Sequence, residues 1–194
     1  MIFTFTHDII KRKSFQLSKK ILSKGGVFLR IFVLFGSPNK AGNTACALCE
    51  YIKDINADQV DMVYANDVDI MPCQGCNACR DSFKCVLDDF YIIENIYNRA
   101  LLSDSVIIAS PIYFNSVPSQ LKHIIDRLQP FYFEKFVHKI KAKTRPNGVL
   151  IMCGGAKEKK DTKLILKSQL KYTFDVFGFS LDKFLFVDDT DSMK

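Results

Sequence analysis

Phe28-Leu29-Arg30-Ile31-Phe32-Val33-Leu34-Phe35, running into Gly36-Ser37-Pro38-Asn39-Lys40-Ala41-Gly42-Asn43-Thr44, is the stretch on which the fold turns. Its first half is a near-continuous apolar run. A strand buried on both faces has that pattern, and such strands belong to parallel sheets. Gly36, Ser37 and Pro38 stop the run, and helical spacing takes over from Thr44 to Lys53.

The same alternation continues outward. Val60 to Tyr64 reads as a second, shorter strand, and residues 70–88 form a cysteine-rich connection. Asp89 reads as the N-cap of a helix through Arg99. Ser105 to Ser110 is a strand stopped by Pro111, and Val117 to Leu128 a helix with Lys122 and Asp126 at i,i+4. Gly148 to Cys153 is a strand ending in Gly154-Gly155, Lys163 to Phe177 a helix, and Phe179 to Val187 the last strand. Five strands separated by helical segments predict an α/β fold, an open five-stranded parallel sheet with helices on both faces. In such sheets the ligand sits beyond the carboxyl ends of the strands, where the strand order switches direction.

The composition agrees. The 194 residues are 48% hydrophobic and 25% charged, which is ordinary for a globular chain and excludes collagen-like or disordered readings. The length suits one domain, here residues 28–194, behind a basic extension at residues 1–27. The net charge of +6 is confined to residues 1–30, where seven basic residues face Asp8 alone; the remainder is neutral with 20 of each sign. The main body therefore makes no case for nucleic-acid binding. Residues 1–30 fit an organellar transit peptide as well as a solvated arm ahead of the domain. No apolar run reaches the roughly 18 residues of a membrane span. Seven cysteines, an odd number in a long chain without a secretory signal, fit a reducing compartment such as the cytoplasm.

Three loops fall at predicted strand ends. In the first, Gly36 and Gly42 permit tight turns, Ser37, Asn39, Asn43 and Thr44 offer hydrogen bonds, and the following helix points its N–H groups at the loop. That combination suits a phosphate group, although a capped turn has the same residues; it is neither a Walker loop nor G-x-G-x-x-G. In the second, Pro111, Ile112, Tyr113, Phe114, Asn115 and Ser116 follow the third strand and can line a flat aromatic ligand. In the third, Gly154 and Gly155 let another group approach the backbone closely.

The strongest chemical signal is Cys73-x2-Cys76-x2-Cys79-x5-Cys85. Four thiols in so short a run can converge on one centre. Cys₄ ligation suits [4Fe–4S] and also zinc, but zinc sites usually show two separated C-x2-C knuckles. Gly75 relieves crowding between the first two. Cys46 and Cys49 read as core packing on the first helix, and Cys153 as a buried strand end. Phe131, Tyr132, Phe133 and Phe136 fit a cover over a ligand, a partner surface or core. Lys139, Lys141, Lys143 and Arg145 read as a solvated run. The three histidines, His7, His123 and His138, accompany no hydrolase motif.

The first loop, together with S-P-I-Y-F-N-S-V-P-S-Q-L-K-H-I-I-D-R from Ser110 to Arg127, resembles the paired flavin-binding segments of the flavodoxin-like NADPH-dependent FMN reductase family, across roughly residues 30–187. The resemblance implies FMN, with Ser37, Asn39, Gly42, Asn43 and Thr44 at the phosphate. Pro111, Ile112, Tyr113, Phe114 and Asn115 would lie along the isoalloxazine, with Gly154 and Gly155 beside it. The resemblance leads one to expect glycine in many relatives where Asn115 stands. The compact cysteine motif resembles the iron–sulfur flavoproteins of that family, which implies a [4Fe–4S] cluster on Cys73, Cys76, Cys79 and Cys85 and a homodimer or higher assembly. The implied activity is an FMN-dependent oxidoreductase fed by NAD(P)H or a ferredoxin-like donor and delivering electrons to a small molecule or protein. The alternatives are an electron carrier or redox sensor, a cluster-free flavin or quinone reductase, and a zinc-stapled binding module.

Overall fold

Strand β1 (Arg30–Phe35) lies at the turning point of a five-stranded sheet with order β2-β1-β3-β4-β5, every pair parallel. The other strands are β2 (Gln59–Tyr64), β3 (Ser105–Pro111), β4 (Arg145–Cys153) and β5 (Phe179–Val187). The computed structural model describes residues 28–139, 145–157 and 160–193. The basic segment 1–27, with Lys141 and Lys143, lies outside the described residues.

The apolar run divides its side chains between two cores with the two-residue period of a strand. Phe32 and Leu34 enter the larger core, and Ile31, Val33 and Phe35 the smaller. The larger core is closed by α3 (Phe90–Leu101), α4 (Ser119–Asp126) and α6 (Lys160–Phe177) through Ile93, Ile96, Leu121, Ile124, Leu170 and Phe174. The smaller is closed by α1 (Asn43–Ile55) through Leu48, with Tyr51, Ile52 and Ile55 partly buried. The sheet thus carries helices on both faces, as predicted. Each fully buried leucine, isoleucine or phenylalanine contributes about 1.5–3 kcal/mol, so these contacts set where each helix, and the loop ahead of it, sits.

The boundaries differ from the expectations where turn chemistry intervenes. β4 begins at Arg145 rather than Gly148, with an irregular register against β5 between those residues and Asn147 at φ 77°. The helix expected from Val117 starts at Ser119, because Pro118 is held extended ahead of it. Two one-turn helices were not legible: α2 (Cys79–Ser82) and α5 (Gln129–Tyr132), the latter continued by a π-helical turn over Phe133–Val137.

Candidate functional site

Sheet order 2-1-3-4-5 places its switch point between β1 and β3. The three loops follow β1, β3 and β4, which are neighbours there.

The first loop is organised by its own side chains. The Asn39 N–H donates to Ser37 Oγ (3.2 Å), Ser37 Oγ donates to Asn39 O (3.1 Å), and the Ala41 N–H donates to Asn39 Oδ1 (3.0 Å). Such local bonds replace the backbone pairing that a turn gives up. Gly42 occupies the N-cap of α1 with no side-chain cap, so the helix starts open toward the loop. Ser37 and Thr44 are buried, whereas Asn39 and Asn43 are exposed. The Thr44 hydroxyl faces Cys153 at the end of β4, joining the first loop to the third. Burial pushes the Cys153 thiol up to about 11, against a smaller opposing pull from Thr44, which leaves it an un-ionised strand-end residue.

The second loop is a two-residue hairpin. Tyr113 and Ser116 exchange both backbone hydrogen bonds (2.9 Å each), and Phe114 and Asn115 sit between them at φ 50° and φ 60°. That turn needs left-handed backbone at both central positions, where glycine is cheapest and asparagine next. Asn115 also does something glycine cannot: its Oδ1 accepts from the Thr162 hydroxyl of α6 (3.2 Å), while Ser116 and Gln169 of α6 hydrogen-bond beside it (3.2 Å). Tyr113 is 47% exposed and Phe114 fully so. Pro111 and Ile112 are half-buried, with the Ile112 N–H donating to Cys153 O (2.9 Å).

The third loop is approached closely, but by the chain itself. The carbonyl of Gly154 accepts from both the N–H and the hydroxyl of Thr190 (3.1 and 3.0 Å), and the Asp191 N–H donates to Gly155 O (2.9 Å). A Cβ built on Gly155 would meet an Asp191 carboxylate oxygen at 2.5 Å. The turn Thr190–Met193 was not foreseen as part of this region.

All four motif cysteines line one cavity of about 310 Å³, with Gly75, Asn77, Leu87, Arg127 and Phe133 among its walls. Gly75, Asn77 and Phe83 take positive φ, and these turns coil the loop. A Cβ on Gly75 would meet open space, so its role is the left-handed turn rather than relief of crowding. Cys73 and Cys76 are exposed, Cys85 is intermediate and Cys79 is buried. Burial, aided by the three neighbouring thiols, raises the Cys79 pKa.

A buried ion pair anchors the start of this loop. The Arg127 side chain at the end of α4 is 1% exposed and pairs with Asp89. Arg127 Nη1 donates to Met71 O (2.7 Å), and the Met71 N–H donates to Asp89 Oδ2 (2.6 Å). The pair therefore grips both polar groups of one residue just ahead of Cys73. Asp89 stands at the N-cap of α3 as expected, but its side chain makes no cap hydrogen bond: its carboxylate is spent on Met71 and Arg127. Burial would raise its pKa, but the Arg127 guanidinium beside it and the hydrogen bond from the Met71 N–H outweigh that and hold it below the usual carboxylate range. Arg127 was expected only as part of the flavin segment. The one local signal was a charge beside the helical apolar positions Leu121, Ile124 and Leu128.

Three further expectations change. Cys46 and Cys49 are exposed rather than core, because Thr44 and Leu48 define the buried side of α1. Arg145 is not solvated: its guanidinium lies 4.2 Å from the Phe179 ring centroid and donates to Ser103 O (2.8 Å). The aromatic run splits, with Phe131 stacked on Tyr97 (3.7 Å) in the core and Phe133 on the cysteine cavity. The Lys122–Asp126 pair forms as expected, at 2.6 Å. No helix among the described residues is long and apolar enough to cross a membrane.

The fold and the strand-end loops define a flavodoxin-like α/β protein. Comparison with known proteins makes that specific: the profile of the NADPH-dependent FMN reductase family matches residues 29–178, and the chain belongs to that family, within its iron–sulfur flavoprotein branch. An iron-sulfur flavoprotein of Methanosarcina thermophila is 31% identical over 140 residues, 71% of this chain and 69% of the relative. Another, from Methanocaldococcus jannaschii, is 31% identical over 105 residues, and the match spans about half of each chain (53% and 53%). Among solved structures, an azoreductase of Bacillus anthracis (TM-score 0.61, 13% identity, 84% of this chain and 88% of that one) shares the fold. So does an NAD(P)H:quinone oxidoreductase of Methanothermobacter marburgensis (TM-score 0.58, 14% identity, 84% and 83%). The chain is an FMN-dependent oxidoreductase.

Proposed function

We propose that this oxidoreductase couples FMN at the strand-end loops to a [4Fe–4S] cluster on Cys73, Cys76, Cys79 and Cys85. The observation that carries the reading is the shared cavity: four thiols of one compact motif face a single space of about 310 Å³. The compact run, without the two separated C-x2-C knuckles usual for zinc, suits a multi-atom cluster.

The cluster supplies one-electron chemistry and the flavin one- or two-electron chemistry. The chain's own residues bind and orient. Ser37, Asn39, Gly42, Asn43 and Thr44 would hold the FMN phosphate, where the open start of α1 adds N–H donors and a positive helix end. Pro111, Ile112, Tyr113, Phe114 and Asn115 would line the ring, on a hairpin fixed to α6 by Thr162 and Gln169. Gly154 and Gly155 would lie beside the ring, with Asp191 as an acidic neighbour. NAD(P)H or a ferredoxin-like protein is the proposed donor, a small molecule or protein the acceptor, and a homodimer or higher the assembly. The proposed setting is the cytoplasm, in keeping with seven unpaired cysteines. Residues 1–27 are proposed as an extension separate from the flavin domain.

Anaerobic purification with quantitation of iron, sulfide and flavin tests this. One FMN and one four-iron cluster per chain are expected. Cys76→Ala should lose the iron and keep the FMN; full iron in that variant rejects the ligand assignment. A wild type with FMN and no iron rejects the cluster and leaves a flavin or quinone reductase.

A further inference from the structure

We propose that Arg127 is the built-in counter-charge of the cysteine cavity, placed to stabilise the reduced form of the group held there and so to set its reduction potential. The inference rests on the cluster reading above and goes beyond it.

The argument begins with an imbalance. Holding Met71 O occupies only one of the three guanidinium nitrogens. Nη2 touches Asp89 as an ion pair but off hydrogen-bond alignment, and among the described residues Nε has no well-aligned acceptor. A buried N–H left without an acceptor costs about 1–3 kcal/mol, so a protein that keeps one usually has a use for it. Arg127 lines the cysteine cavity and Asp89 does not, so the pair presents its positive end to the thiols. Cys85 lies within hydrogen-bonding range of that guanidinium. The other charged side chain of the wall, Asp126, is already answered by Lys122 at 2.6 Å.

A cluster held by four thiolates carries net negative charge, and reduction adds one more electron with no proton required. Charge nearby and hydrogen bonds to the sulfurs are the levers by which a protein tunes that step. Arginine suits the position because its guanidinium stays protonated under all ordinary conditions and has N–H groups to spare. In a cavity walled partly by Leu87, Pro130 and Phe133, its field is less screened than in water. A cation facing the sulfurs favours the extra electron and raises the potential. Asp89 opposes this from behind, so the two residues should act with opposite signs.

The test is a midpoint titration of the anaerobically purified protein, following the cluster by electron paramagnetic resonance and the flavin by absorbance. Asp89→Asn keeps an acceptor for the Met71 N–H but removes the opposing charge. It should shift the cluster equilibrium at fixed potential severalfold toward the reduced form. The double variant Asp89→Asn/Arg127→Met removes the pair without leaving a buried charge. It should shift the equilibrium at least tenfold toward the oxidised form, which is 59 mV for a one-electron couple. Arg127→Lys should stay closer to wild type than the double variant, and the flavin potential should move in none of them. Equal potentials in all variants with iron retained would reduce Arg127 to a loop anchor. So would loss of iron in the double variant that Arg127→Lys shares. A wild type without iron removes the cluster reading itself and this inference with it.

Discussion

The strand-end loops and the cysteine loop are both irregular segments joined to the same sheet, yet they are held in different ways. The loops after β1 and β3 are closed mainly by neighbours in sequence: Ser37 with Asn39, Asn39 with Ala41, Tyr113 with Ser116. The cysteine loop is exposed over Met71–Ala78 and depends on a distant pair, with Asp89 at the start of α3 and Arg127 at the end of α4 closing on Met71. Segments fixed by local bonds tolerate the loss of any one of them. A segment whose entry is fixed by one buried pair is more vulnerable, even with His138 holding its far end through Arg80 O and the Phe83 ring.

The largest effect should therefore come from Asp89→Ala. It leaves the Arg127 charge buried without its partner, for which the cost is about 3–5 kcal/mol. The matching change at the Arg99–Asp61 pair, Asp61→Ala, breaks a bidentate contact (Arg99 Nε to Asp61 Oδ2, 2.8 Å) whose side chains are about a third exposed. It should cost no more than about 1 kcal/mol. Urea unfolding of both variants provides the comparison. Equal losses would mean that burial does not distinguish the two pairs and that the His138 contacts with Arg80 O and Phe83 suffice to hold the cysteine loop.

The same contrast decides what the sequence could reveal. The parallel sheet was legible because buried strands announce themselves locally: Phe28–Phe35 and Ser105–Ser110 are apolar runs ended by glycine or proline. The loops after β1, β3 and β4 were legible as a set because each carries its turn residues within a few positions. The partnership of Asp89 with Arg127 was not, since 38 residues separate them and a helix N-cap explains an aspartate before Phe90 just as well. The turn Thr190–Met193 against Gly154 and Gly155 was hidden for the same reason: a glycine pair says that something approaches, not what. Cys46 and Cys49 were misplaced because the apolar side of α1 was drawn through them rather than through Thr44 and Leu48.

On the strand-end side, a graded pair of substitutions at position 115 separates backbone from side chain. Asn115→Ala removes the Thr162 bond and places a Cβ at φ 60° without asparagine's local compensation, for a combined loss of about 2 kcal/mol. Asn115→Gly loses the bond but accepts the backbone, and should cost about 1 kcal/mol or less. If the two are equal, the hairpin is held by its tie to α6 alone and strain plays no part. Flavin affinity should follow the same order in a titration of the flavin-free protein.

Phe114 offers the smallest effect and the sharpest reading. Its ring is wholly exposed, so removing it sacrifices almost no buried surface, and its φ of 50° is one that glycine adopts freely. Phe114→Gly should therefore stabilise the fold slightly, by about 0.5–1 kcal/mol, because relief of the left-handed backbone exceeds the added chain entropy of glycine. A bulky residue kept in a strained, solvent-facing turn is explained if the ring is needed elsewhere, and a flat ligand beyond the strand ends is the nearest use. The variant should then bind FMN severalfold more weakly while melting higher. Opposite movements of stability and flavin affinity would mark the hairpin as a place where conformational ease has been given up for binding. A higher melting point with unchanged flavin affinity would remove Phe114 from the flavin site and leave Tyr113 as the aromatic of that loop.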